Sequence, residues 1–243
     1  MARALARRGA RLALGARRGE RLTALASELG GPERALAVPT DLTAPGRARA
    51  LVEAAESHFG RLDGLINNAG LFAGGRLAAV DPEHLRKCWQ LNVLALLEAT
   101  QAAVPHLRRT RGLIVNVSSP SAFLGLPRLA PYAMTKAAVS ALSESLRREL
   151  RPDGIRVLVA YPGLTESELG ATALGEVSPY ARRRWRPRAR PAAPVAAEIV
   201  EAIRRNRREV WTTSPGERLG TAAYGVARWL APGLIDRVIA RLG

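Results

Sequence analysis

Cysteine, lysine, histidine and aromatic residues are all scarce in this sequence of 243 residues, and each scarcity excludes something. The single cysteine, Cys88, has no partner for an internal disulfide, so nothing marks an oxidising compartment. Three histidines, His58, His84 and His106, lack metal-ligand spacing, and no metal is expected. No run of about 18 uninterrupted apolar residues exists. Met1 to Ala10 is too short and too arginine-rich for a signal-peptide core, so the cytoplasm is the default compartment. Aromatics supply 5% of residues while apolar residues reach 47%, so alanine carries much of the apolar count. The length suits one large α/β domain or two small ones and excludes a disordered tail or a disulfide miniprotein.

Acidic residues are outnumbered 37 to 21, a formal charge of +16, which raises nucleic acid or an anionic membrane as a partner. Only Lys87 and Lys136 are lysine, however, and the other 35 cations (37 − 2) are arginines spread through every helical segment, as GC-rich codon usage would leave them. That is an ordinary solvated surface, and no nucleic-acid partner is expected. One cluster stands apart: Arg182, Arg183, Arg184, Arg186, Arg188 and Arg190.

Short apolar, β-branched runs alternate with segments of helical period. Strands are expected at Arg11 to Gly15, Arg34 to Thr40, Gly64 to Asn67, Gly112 to Val117, Ile155 to Ala160 and Glu209 to Thr212. Helices are expected at Gly19 to Leu29, Pro45 to Phe59, Pro82 to Leu107, Tyr132 to Leu150 and Val195 to Asn206. Asp81 before Pro82 is a strong helix start, because aspartate caps free amides and proline suits the first helical position. The alternation predicts an α/β fold: a doubly wound, Rossmann-type parallel sheet with helices on both faces.

The segment opening at Tyr132 carries the first chemical signal. Tyr132 and Lys136 are four apart and share one helical face. A lysine cation about 4 Å away, at an effective dielectric near 20, favours the phenolate by roughly 4 kcal/mol, or about three pKa units. That moves a tyrosine toward the range a general acid/base needs. Ser119 lies thirteen residues earlier (132 − 119), just past an apolar strand, where parallel sheets present functional groups. Asn92 falls among Leu85, Trp89 and Leu96 on the apolar face of its helix, where its amide must be hydrogen-bonded.

Asn67-Asn68-Ala69-Gly70, Asn92, Ser119, Tyr132-Ala133-Met134-Thr135-Lys136 and Pro162-Gly163 resemble, in order and spacing, the short-chain dehydrogenase/reductase family over about residues 2 to 213. The resemblance implies that Tyr132 is the general acid/base and that Lys136 tunes it and binds the nicotinamide ribose. It further implies that Ser119 holds the substrate oxygen and Asn92 a relay water, around a cofactor that carries the hydride. It places Arg17, Asp41, Leu42, Asn68, Ala69, Gly70, Tyr132, Lys136, Pro162, Gly163 and Thr165 around that cofactor. No carboxylate follows the strand ending at Gly15; Ala16-Arg17 stands there instead, the pattern of NADP(H) rather than NAD(H). The expected reaction interconverts a small-molecule carbonyl and a secondary alcohol. Family members are commonly homodimers or homotetramers through the helices carrying Asn92 and Tyr132.

The family opens with a buried strand and a Thr-Gly-x-x-x-Gly-x-Gly turn that cradles the diphosphate. This sequence starts inside the helix that should follow. Losing about five buried side chains of a central strand removes on the order of 10 kcal/mol, against about 5 to 15 for a whole domain. The expectation is a misfolded chain or a gap in the sheet. Either the natural start lies upstream, or this is a truncated, non-catalytic binding or scaffolding protein.

The domain is expected over residues 1–213, with a substrate lid at about 164–194. The arginine cluster there suits an anionic substrate or, more simply, a solvated loop. Residues 214–243 form an amphipathic extension, with Leu219, Ala223, Val226 and Leu230, then Ile235, Val238, Ile239 and Leu242, at helical spacing. Packing within the protein is the default for this tail; peripheral membrane contact is the alternative.

Overall fold

The computed structural model describes residues 1–176 and 189–230. After a short helix, α1 (Ala2–Ala6), the chain runs through β1 (Leu12–Ala16), α2 (Gly19–Glu28), β2 (Ala35–Pro39), α3 (Arg47–Phe59), β3 (Gly64–Asn67) and β4 (Ala73–Gly74). Then follow α4 (Pro82–Trp89), α5 (Ala95–Thr110), β5 (Leu113–Val117), α6 (Ala130–Glu149), β6 (Arg156–Pro162) and β7 (Leu174–Gly175). The last elements are α7 (Ala192–Arg204), β8 (Glu209–Thr212) and α8 (Pro215–Leu230). Strand pairing is parallel throughout the described residues.

β5 and β6 form the centre of a four-stranded sheet ordered β3-β5-β6-β8. Alanines let helices approach closely on one face: Ala48 of α3 meets Ala95, Ala99, Ala102 and Ala103 of α5, with Leu107, Ile114, Leu146 and Val157. On the other face Val195, Ile199 and Ala202 of α7 cover Leu113, Val115, Leu158 and Ala160. Helices on both faces of a parallel sheet are the expected doubly wound arrangement.

The sheet is in two pieces. β1 and β2 pair with each other, and neither β1 nor β3 has a hydrogen-bonded neighbour on its remaining side among the described residues. Their apolar residues Leu12, Leu14, Leu65 and Ile66 stay half-exposed along a slot that opens into a cleft of about 3190 Å³. This is the gap the sequence led us to expect. α3 still packs on β1, so closely that a Cβ at Gly15 would collide with Leu51.

Two local features depart from the sequence pattern. The helix expected over Pro82 to Leu107 is interrupted at Gln90–Leu94 by a π-turn, where one extra residue per turn swings Asn92 inward. α8, the described part of the tail, turns one face to the protein. Tyr224 and Thr221 turn toward the protein, while Leu219, Val226 and Leu230 are 72%, 60% and 80% exposed. Arg182 to Arg188 and the second amphipathic segment, from Ile235, lie outside the described residues. Arg190 is described, and it is engaged structurally: its guanidinium donates to Glu198 and to the Thr212 carbonyl. No described helix is long and apolar enough to cross a membrane.

Candidate active site

The carboxyl ends of β1, β3, β5 and β6 open into the same cleft. Ser119, Tyr132 and Lys136 line it together with Arg17, Asp41, Leu42, Asn68, Ala69, Gly70, Pro162, Gly163 and Thr165. These positions come from six separate stretches of sequence. The fold brings them to one surface, and only Asn92 stands behind it.

α6 presents Tyr132, Thr135, Lys136, Val139, Ser143 and Leu146 inward at three- and four-residue intervals. Its rotation is fixed by a polar chain through the sheet. Asn67 Nδ2 donates to Asn116 Oδ1 at 2.8 Å, Asn116 Nδ2 to Ser143 Oγ at 2.8 Å, and Ser143 Oγ to the Val139 carbonyl at 2.6 Å. Ser118 Oγ donates to the Lys136 carbonyl at 2.9 Å. Buried polar groups of this kind are destabilising unless satisfied, so the network tolerates one register of α6 against β5. Sequence reasoning missed Asn116, Ser118 and Ser143, because their partners lie 18 to 49 residues away.

Ser119 caps a single helical turn, Pro120–Ala122, by accepting from the Ser121 amide at 3.2 Å, and its hydroxyl borders the cleft beside the Tyr132 phenol. The nearby Ser121 hydroxyl is buried without a partner and was not anticipated. Tyr132 packs against Phe72, with ring centroids 5.0 Å apart and the planes tilted by 38°. The Lys136 ammonium donates to the Val117 carbonyl at 2.8 Å and lies 5.6 Å from the Tyr132 ring centroid.

The electrostatics correct the expectation for Tyr132. Burial pushes its phenol well above the ordinary value, and the neighbouring Ser119 hydroxyl pulls only partly the other way. Burial also lowers the Lys136 ammonium, to about 8. Desolvation thus outweighs the pairwise attraction, since the ammonium is directed at a carbonyl rather than held against the phenol oxygen.

Asn92, 2% exposed, grips Leu71: its Oδ1 accepts the Leu71 amide at 2.8 Å and its Nδ2 donates to the Leu71 carbonyl at 2.9 Å. Nδ2 also donates to Thr135 Oγ1 at 2.9 Å. The side chain therefore fixes the loop after β3 against α6, with its Nδ2 protons committed to the Leu71 carbonyl and to Thr135. Gly70 sits where a Cβ would stand 3.6 Å from Asn92 Oδ1 and 3.7 Å from Lys136 Nζ. At the opposite lip Asp41 accepts from the Thr43 amide and hydroxyl, which holds its carboxyl below the usual range. Arg17 is exposed beside it.

Residues 1–176 match the family model for short chain dehydrogenases, and the chain belongs to the short-chain dehydrogenase/reductase family. An uncharacterized oxidoreductase of Methylorubrum extorquens is 44% identical over 140 residues, covering 58% of this chain and 56% of its own. An 11-beta-hydroxysteroid dehydrogenase A of Sesamum indicum is 39% identical over 168 residues, covering 68% and 48%. The chain spans about half the length of these curated relatives. Among solved structures, a Burkholderia phymatum short-chain dehydrogenase/reductase in complex with NAD superposes with a TM-score of 0.83 at 25% identity, covering 94% of this chain and 90% of that one. A Sphingobium yanoikuyae short-chain dehydrogenase in complex with NADPH gives 0.74 at 28%, covering 98% and 88%.

Proposed function

We propose that this chain is an NADP(H)-dependent oxidoreductase that interconverts a carbonyl and a secondary alcohol. The observation that carries the reading is the convergence of Ser119, Tyr132 and Lys136 on the same cleft as Arg17 and Asp41. The residues present fit the two ends of a dinucleotide. Lys136, Asn68-Ala69-Gly70, Pro162-Gly163 and Thr165 suit the nicotinamide riboside. Asp41-Leu42 and Arg17 suit the adenosine, with Arg17 positioned to take a phosphate.

When bound, the nicotinamide supplies or accepts the hydride. Ser119 donates its hydroxyl proton to the substrate oxygen in place of the Tyr132 phenol. Tyr132, protonated at neutral pH, is suited to give its proton to that oxygen as a carbonyl is reduced. Lys136 supplies a cation beside the phenolate left behind, and Asn92 keeps the cleft wall in register. A homodimer or homotetramer through α5 and α6 belongs to the same reading.

The split sheet favours a second reading, a non-catalytic binding protein, because the middle of the dinucleotide would fall against an unfilled slot. Fluorescence titration with NADPH and NADH distinguishes the two. It is run on the chain itself and on a form carrying an apolar strand and a glycine-rich turn ahead of residue 1. Binding that prefers NADPH, stronger in the extended form, is expected. Equal binding of NADH overturns the cofactor assignment, and no binding by either form favours the non-catalytic reading.

A further inference from the structure

The segment between β6 and β7 crosses the mouth of the cleft and is tied down at both ends. Near its start Thr165 bridges to Arg190, and the Glu166 amide donates to the Arg190 carbonyl at 2.9 Å. At its far end β7 pairs with β4. In its middle, Glu168 reaches across the cleft to the entrance of α2. There Arg18 donates to one carboxylate oxygen and Arg21 Nη1 to the other at 2.8 Å. Glu168 lies 150 residues from Arg18 and 147 from Arg21 in sequence, and all three side chains are more than half exposed to solvent. Arg18 and Glu168 both line the cleft, next to Arg17.

We propose that Glu168 is a latch, occupying Arg18 and Arg21, which together with Arg17 take a phosphomonoester of the ligand, and releasing the segment when that phosphate arrives. The inference rests on the phosphorylated-dinucleotide reading above. A carboxylate brings a single charge and two oxygens to two guanidinium forks. A phosphomonoester brings close to two charges and three oxygens, and so outbids it for the same donors. Because the pair is solvent-facing, it is weak enough to be exchanged. Glu168 thereby sets the selectivity of the site twice. It lowers affinity for any anion at Arg18 and Arg21, and it couples occupation by a phosphorylated ligand to freedom of the segment over the substrate. An unphosphorylated dinucleotide leaves the latch closed.

The test compares wild type with Glu168→Gln, using adenosine 2′,5′-bisphosphate, NADH, which carries no phosphomonoester, and inorganic phosphate as probes. Affinity is read by calorimetry, and freedom of the segment by hydrogen exchange across residues 164–172. Without ligand, exchange there is expected to rise in Glu168→Gln. In wild type the bisphosphate should raise it, whereas NADH should not. Glu168→Gln should bind the bisphosphate about fivefold more tightly, the scale of a pair of exposed ion pairs, and NADH equally. Equal bisphosphate affinity in the two proteins, or unchanged ligand-free exchange, overturns the latch. Inorganic phosphate matching the bisphosphate overturns the assignment to a nucleotide. If neither protein binds the bisphosphate, it is the dinucleotide reading that falls and the displacement with it, while ligand-free exchange still decides whether Glu168 holds the segment.

Discussion

The strands on either side of the slot and the strands beneath Tyr132 are built from the same kinds of residue, yet they sit in opposite environments. In β5 the residues Leu113 to Asn116 are buried, and β6 is buried from Val157 to Tyr161. In β1 and β3 no residue is buried, although Leu12, Leu14, Leu65 and Ile66 are as apolar as their counterparts. The difference is one of neighbours, not of composition. Parallel strands reach burial by pairing on both sides and being covered on both faces, and an apolar parallel edge left open marks a place where a strand belongs. The part of the cleft around Tyr132 is enclosed because β5, β6 and α6 pack on one another, whereas the part between β1 and β3 is open.

The largest expected effect comes from closing that difference. Placing an apolar strand and glycine turn in the slot should raise global stability by on the order of 10 kcal/mol, the burial of about five side chains. Denaturant unfolding checks the gain. Hydrogen exchange should show new protection in β1 and β3 and little change in β5 and β6. No gain would mean that the slot is not a strand site and that the two halves differ for another reason. The next effect isolates the closed half. In the extended form, Tyr132→Phe should lower turnover by about 10²- to 10⁴-fold, followed as NADPH consumption with a panel of ketones, with NADPH affinity unchanged. A variant that keeps its rate would remove Tyr132 from the proton-transfer role.

Much of the fold was legible in the sequence, because it is written in local periods. Gly64–Asn67 and Glu209–Thr212 were expected at the bounds the structure shows, and α6 within two residues. The π-turn at Gln90–Leu94 was not, since a single added residue leaves the apolar spacing of Leu85, Trp89 and Leu96 almost unchanged. β4 and β7, two residues each, are too short to leave a pattern. The chain from Asn67 through Asn116 to Ser143, and the tie from Glu168 to Arg18 and Arg21, join residues far apart in sequence, where no periodicity speaks. The direction of the Tyr132 shift was misjudged because spacing reveals which groups are near, whereas burial and the aim of the Lys136 ammonium appear only in three dimensions.

The smallest expected effect sharpens the comparison at the point where the halves meet. Lys136 is 4% exposed, its ammonium lowered by burial to about 8 from an ordinary 10.5. Between those values the unfolded chain binds more protons than the native one, so this group makes stability rise with pH. Tyr132 and Cys88, both raised chiefly by burial, act in the opposite sense above their ordinary values of 10 and 9, because there the native state keeps protons that the unfolded chain loses. Subtracting the Lys136→Met variant, which retains both groups, isolates the lysine. The wild-type stability should climb relative to the variant by roughly 1 kcal/mol per pH unit between pH 8 and 10, measured by urea unfolding. A flat difference would mean that water already reaches the ammonium. The slope should be the same once the slot is filled, because the groups surrounding Lys136 Nζ, the Val117 carbonyl and the Tyr132 ring, belong to the enclosed half. A steeper slope in the filled form would show instead that the slot wets the acid/base site, and that the two halves are not independent.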